Sequence, residues 1–385
     1  MIDSDKTHGI PLSVPCLAGN EKKYVNECLD TNWISSAGRF VGDFEKEFAK
    51  YVGAKYAVAV ASGTAALHLA LIVSGIKAGD ELFAPALTFI APLNAIKYVG
   101  AYPVFIDSDE KNLGISPDEI EKFIEKNCEF KDGKLVNKLT SRTITGIVAV
   151  HIYGHSCEME KIIRIKEKYN LKLIEDAAEG MGCLYKNKHV GTFAKVGCFS
   201  FNGNKIMTTG GGGMAVSDDK EFATRIRHLS TQAKTDTFYY RHDEVGYNYR
   251  MTNIQAAIGL GQLERFDEML ERKREIHLEY QCAFKEINGA SLFIEQAHCR
   301  SNYWLALLFT EKREELFKFM EDRQIQTRPF WRLNHLHPMF TDCAKNETNV
   351  DEKLFSTGVC IPCHAGMANE DVANVIKTVK EFFSS

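Results

Sequence analysis

Two side chains have the chemistry of an aldehyde-handling site. One is the carboxylate of Asp176, in Ile174-Glu175-Asp176-Ala177-Ala178-Glu179. The other is the amine of Lys205, which closes Ser200-Phe201-Asn202-Gly203-Asn204-Lys205 and is followed by Thr208-Thr209 and the run Gly210–Gly213. An acid that ends a buried strand lies at the carboxyl edge of a sheet, where open α/β folds place their ligand crevices. A lysine in a polar, glycine-flanked turn can lose its proton and form a Schiff base with an aldehyde. Taken singly, Asp176 reads as a helix cap and Lys205 as a solvated loop residue. Together they match pyridoxal phosphate, whose aldehyde a lysine holds and whose ring nitrogen an acid keeps protonated.

Two further positions suit the same ligand, and a third suits a nucleotide. Ser62-Gly63-Thr64 precedes Ala65-Ala66-Leu67-His68-Leu69-Ala70-Leu71, a run of good helix formers, and the N–H groups of a helix start suit a phosphate. Phe89 follows the apolar segment Glu81–Leu87 and has a face to stack on a planar ring, although core packing is the commoner fate of such a residue. Arg328-Pro329-Phe330-Trp331, with His335 and His337, mixes cations and aromatics in a loop-like stretch. A base and a pyrophosphate can use both, and Arg328 is a candidate substrate contact.

Short apolar runs alternate with amphipathic ones, which predicts an α/β chain with a mostly parallel sheet. Strands are expected at Ala57–Ala61, Glu81–Ala84, Tyr102–Asp107, Thr145–His151, Leu171–Glu175 and Val196–Ser200, and a helix whose first turn is Pro117-Asp118-Glu119-Ile120, after Ser116. Residues Asn127–Arg142 read as a surface excursion. One long helix is expected from Thr252 to about Phe284, carrying the chain into a smaller α+β domain, so the division is 1–251 and 252–385.

The 385 residues are 45% hydrophobic and 25% charged, with Lys+Arg 47 against Asp+Glu 51, a net charge of −4. That balance gives no global drive toward nucleic acid or an anionic membrane. The most apolar stretch, Ala57–Gly75, is interrupted by Ser62-Gly63-Thr64, His68 and Ser74. The opening Met1-Ile2-Asp3-Ser4-Asp5-Lys6 lacks an apolar core, and eleven cysteines scattered through periodic segments suit reduced thiols, so a cytoplasmic protein is expected.

Other motifs compete less well. Cys360-Ile361-Pro362-Cys363-His364 has the haem c attachment spacing, which requires export. His151, His155 and Cys157 follow a strand into a turn rather than sharing a helix face, so no metal site is expected. Gly210–Gly213 has neither dinucleotide-loop spacing nor a following lysine, and reads instead as backbone passing close to Lys205.

Five ordered blocks carry a resemblance. They are Ser62–Leu67, Ala86–Ala91, Glu175–Ala178, Ser200–Lys205 and Gly246-Tyr247-Asn248-Tyr249-Arg250-Met251, and they resemble the DegT/DnrJ/EryC1/StrS sugar aminotransferases from about Pro11 to near the C-terminus. The resemblance implies fold type I of the pyridoxal phosphate-dependent transferases, the aspartate aminotransferase fold. It implies Lys205 as Schiff-base lysine, Asp176 as partner of the ring nitrogen and Phe89 as the stacking residue. Gly63, Thr64 and Ser200 would bind the phosphate, with Asn248 reaching it from the second subunit of a homodimer. Glu179 and His151 would lie close to the cofactor. Pro11–Pro15 and Trp33–Gly38 look most like the subgroup that aminates UDP-linked sugars toward legionaminic acid or bacillosamine. The expected reaction moves an amino group from glutamate, through pyridoxamine phosphate, to C4 of a UDP-linked 2-acetamido-2,6-dideoxy-4-keto-hexose. The alternative is a nucleotide-sugar dehydratase, whose members carry His where this chain has Lys205.

Overall fold

The computed structural model describes residues 9–384, so the reading of Met1–Lys6 and the outer ends of the two expected domains lie outside it. The large sheet runs Tyr56–Val60, Gly213–Ser217, Val196–Ser200, Lys172–Asp176, Thr143–Val150, Glu81–Pro85, Tyr102–Ile106. The last five are mutually parallel, and Gly213–Ser217 is antiparallel to both neighbours. These strands are apolar on both faces because helices cover both. Helices Arg39–Val52, Pro117–Asn127 and Met159–Lys168 share one core with the sheet. Gly63–Val73, Ala91–Tyr98 and Lys220–Ser230 pack on the other face.

The six expected strands are present, with ends that agree to within two residues and Val196–Ser200 matched at both ends. Three expectations need correction. The strand Gly213–Ser217 begins inside the glycine run, where Gly213 fits so closely that a Cβ would lie 2.5 Å from the Ser62 carbonyl carbon. The excursion is a hairpin, Cys128–Lys131 with Lys134–Asn137, whose second strand pairs with Thr143 and Ile144. The long helix is two, Asn253–Leu263 and Phe266–Phe284, broken at Arg265. The break lets each helix follow its own partner. Small residues Gly259 and Gly261 bring the first against Phe44 and the Glu21 backbone, and the second packs Ile276, Tyr280 and Phe284 into a separate core.

That core lies under a four-stranded antiparallel sheet, Ser291–Leu292, Ala306–Phe309, Gly358–Ile361, Arg328–Pro329, with helices Arg313–Glu321 and Asn369–Ser384. Ile10 joins it and bridges to Ile325.

Asp107, just past the strand Tyr102–Ile106, meets the helix Asn349–Thr357. Its carboxylate accepts N–H bonds from Ser108 at 3.0 Å, Val350 at 2.9 Å and Asp351 at 2.8 Å. Asp351 accepts from Ser108 N–H at 3.2 Å, while its other oxygen is buried without a partner. Burial, reinforced by the facing Asp107, pushes the Asp351 carboxyl well above its ordinary range. The folded state therefore holds a proton that the unfolded chain releases, and stability falls as pH rises above the unfolded carboxyl value. Asp351→Asn removes this penalty. In thermal melts at fixed ionic strength, its melting temperature should gain on the parent between roughly pH 5 and 8, and a constant gap would contradict the assignment.

Candidate active site

Every strand that feeds the site ends at the same edge of the large sheet. Asp176 pairs with Cys198 across neighbouring parallel strands, which places Ser200 one step beyond. Val60 pairs with Gly213, and Ser62 bridges Gly212, so the start of the helix Gly63–Val73 reaches that edge too. Ser62 caps this helix through its hydroxyl, which accepts the Ala65 N–H at 3.0 Å. Gly63 and Thr64 occupy the first turn, whose N–H groups have no acceptor within the helix. A Cβ on Gly63 would lie 2.8 Å from that of Ser200, so glycine is needed for this approach.

A cavity of about 280 Å³ opens here. Gly63, Thr64, Phe89, Asp176, Glu179, Ser200 and Lys205 all line it, together with Thr88, Asn202, Trp304 and Trp331. Seven of the ten expected residues thus meet in one place. Lys205 donates from Nζ to Glu179 Oε1 at 2.9 Å, with side chains only 11% and 6% exposed. The Trp304 ring covers the same ammonium with its centroid 3.8 Å away. Trp304 Nε1 and the Ser13 hydroxyl both donate to the Asn204 carbonyl, fixing the turn that carries the lysine.

Glu179 is held from behind. Its Oε2 accepts the Tyr153 N–H at 2.7 Å, and its backbone carbonyl accepts from the Asn302 side chain at 2.7 Å. Tyr153 is buried with φ +53, a left-handed conformation that costs a bulky residue roughly 1–3 kcal/mol and clusters at functional sites. Burial raises the Glu179 carboxyl, and the Lys205 ammonium works against that rise.

Asp176 is 3% exposed, and one oxygen accepts the Ala178 N–H at 3.0 Å. No described residue donates to the other. Burial pushes the carboxyl up to about 6, opposed by the Ala178 N–H. A buried acid with an open oxygen fits a cationic N–H ligand. The Thr88 hydroxyl is likewise buried without a partner on the cavity wall. With an anion-binding helix start at one wall and an amine at another, the residues present fit pyridoxal phosphate.

Three expected residues lie elsewhere. His151 is fully buried and has no surface from which to touch a substrate. The Cys157 N–H donates to its Nδ1 at 3.2 Å, which leaves the ring proton on Nε2, 3.1 Å from Glu175 Oε2. The ring backs Asp176, whose carbonyl accepts the His151 N–H at 3.0 Å. Arg328 donates to the adjacent Thr327 carbonyl at 2.8 Å and is not on the cavity wall. Asn248 is exposed and also off this chain's cavity. Cys360 and Cys363 are buried thiols in and after a strand, unsuited to haem attachment. Among the described residues, the three-residue metal-ligand cluster is His228, Asp243 and Glu244, which does not include His151.

Trp304 and Tyr153 were not singled out from sequence. Their contacts that matter to the site, Tyr153 with Trp331 and Trp304 with Asn204, join separate segments, and no local spacing marks either residue.

The family model for the DegT/DnrJ/EryC1/StrS aminotransferases matches residues 15–380. The chain is 43% identical to GDP-perosamine synthase of Escherichia coli O157:H7, over 97% of this chain and 99% of that one. It is 36% identical to GDP-perosamine synthase of Vibrio cholerae, with the same coverage of 97% and 99%. Among solved structures it is similar to a DegT/DnrJ/EryC1/StrS aminotransferase from Brucella abortus, with TM-score 0.88, 26% identity and coverage of 95% and 96%.

Gly63→Ala should separate the helix start from Ser200. Overpacking of this kind costs about 1–3 kcal/mol, so equilibrium dialysis should show pyridoxal phosphate held roughly 5- to 150-fold more weakly. Retention equal to the parent would show that Gly63 does not shape the phosphate end.

Proposed function

The chain belongs to the DegT/DnrJ/EryC1/StrS aminotransferase family and is a pyridoxal phosphate-dependent nucleotide-sugar aminotransferase. From that premise we propose that it moves an amino group from glutamate to C4 of a GDP-linked 4-keto-6-deoxy-hexose. The observation that carries the reading is the meeting of Lys205, Asp176 and the start of the helix Gly63–Val73 in one cavity. Two full-length relatives bear the name GDP-perosamine synthase, and this favours GDP over the UDP sugar implied by the sequence resemblance.

When bound, pyridoxal phosphate supplies an aldehyde for amines and a ring that accepts the electron pair left at a neighbouring carbon. Each protein residue then has a defined task. Gly63, Thr64 and Ser200 would hold the phosphate, and Phe89 would offer a face to the ring. Asp176 would partner the ring nitrogen, its negative charge favouring the protonated form. Lys205 Nζ takes a proton from one carbon and returns it to another. Glu179 and Trp304 fix where that amine rests between transfers. Asn248 is exposed in one chain, as required if it completes the phosphate site of a partner in a homodimer. A lysine in this cavity favours amine transfer over the dehydratase alternative.

Three measurements test the reading. Borohydride should fix the cofactor on Lys205, and Lys205→Ala should lose transamination by at least about a thousandfold. Full transfer by that variant would refute the role. Asp176 carries its charge above about pH 6. Retention of the cofactor should therefore rise with pH through that value in the parent and stay flat in Asp176→Asn. Finally, labelled glutamate with GDP-, UDP- and dTDP-linked 4-keto sugars should give the highest kcat/KM for GDP, and a UDP optimum would overturn the nucleotide assignment.

A further inference from the structure

Trp331 is an aromatic residue of the cavity wall to which the proposed chemistry gives no task. Its ring stacks on Tyr153 with centroids 4.4 Å apart and planes at 14°. Its backbone N–H donates to the Tyr153 hydroxyl at 3.2 Å. One face is therefore occupied by a buried ring whose position is fixed by the bond to Glu179. Phe89 stands 6.0 Å away and Trp304 6.1 Å away, so three aromatic side chains form one side of the cavity. Asn202, Asn204 and Lys205 supply polar groups to the same cavity.

We propose that Trp331 is the sugar-binding wall of this site, held in place by Tyr153, and that it selects a pyranose presenting an apolar C–H face and a methyl group rather than a hydroxymethyl. The inference rests on the function proposed above and specifies which part of the ligand the wall recognises. The carbon to be aminated must come within reach of Lys205 Nζ, and Trp304 lies directly over that amine. A sugar so placed lies beside the aromatic wall. Aromatic faces carry partial negative charge and attract the weakly positive C–H bonds of one pyranose face. A methyl buried against such a wall gains apolar contact, whereas a hydroxyl finds no acceptor among ring carbons. Tyr153 acts as a positioning residue, since it does not line the cavity but touches both Trp331 and Glu179.

Calorimetry with holoenzyme tests this directly, using GDP, GDP-mannose and its 6-deoxy counterpart GDP-rhamnose as non-reacting probes. The parent should bind GDP-rhamnose more tightly than GDP-mannose, and Trp331→Ala should abolish that preference. It should weaken GDP-rhamnose at least tenfold and GDP less than twofold. Trp331→Phe retains an aromatic face and should restore binding to within about threefold, which separates loss of the wall from loss of folding. Tyr153→Phe, which keeps the ring but removes the hydroxyl that holds the Trp331 N–H and meets Cys360, should reduce the rhamnose preference without changing GDP affinity. Equal weakening of GDP and GDP-rhamnose in Trp331→Ala would overturn the proposal, as would an unchanged preference. Visible absorbance of the bound cofactor is read in parallel. Its absence in the parent would refute the functional reading itself, and its presence with an unaltered sugar preference would refute only the wall.

Discussion

The site is organised around one buried ion pair. An ammonium and a carboxylate largely withdrawn from water are tolerated only when each is held against the other and their remaining hydrogen-bonding capacity is met, and removing one partner of such a pair costs about 3–5 kcal/mol. Lys205 and Glu179 come from two turns of the chain that follow neighbouring parallel strands. Their contact is secured by groups from two further segments: the left-handed Tyr153 from one, and the Asn302 side chain and Trp304 ring from the other. The large sheet and the segment leading into the smaller one therefore converge on one interaction. The large sheet delivers the charged side chains, and the segment leading into the smaller sheet, Ser301–Leu305, supplies the cover.

Electrostatics divides the cavity into ends with different requirements. At the Asp176 end a carboxylate raised by burial waits for a cationic partner, and His151 behind it is kept in one tautomer by the Cys157 N–H. At the helix end the described lining residues Ser62, Gly63, Thr64 and Ser200 offer backbone N–H groups and hydroxyls. An aldehyde cofactor with a basic ring nitrogen and a phosphate ester spans such a gradient in one orientation, which is what a reaction at a single carbon requires.

Much of this was legible in the sequence, for identifiable reasons. Buried parallel strands show as uninterrupted apolar runs, so their ends, and with them Asp176 and Ser200, were placed within a residue or two. The pairing of an acid and a lysine at successive strand ends was equally visible. The strand Gly213–Ser217 was not, because it opens with glycines that signal a turn. The hairpin at Cys128–Asn137 was masked by its charge, since an edge hairpin needs little apolar surface. The break at Arg265 was hidden by an amphipathic period that continues on both sides of it. Trp304 and Tyr153 were beyond local reading altogether. Their significance lies in contacts that bring separate segments together. Arg328 and His151 were chosen on residue type, whereas the structure engages Arg328 with the neighbouring Thr327 carbonyl and sets His151 behind Asp176.

Gly213 fits closely on the Ser62–Gly63 main chain and Gly63 on Ser200, so the phosphate end is built largely of main chain. Such a floor has little to adjust and accepts no added atom at these glycines without displacement. Divergence toward new substrates would consequently be confined to the opposite side, where one ring can be exchanged for another while the scaffold stays still. The anchor and the reader of this pocket are thus free to evolve at different speeds.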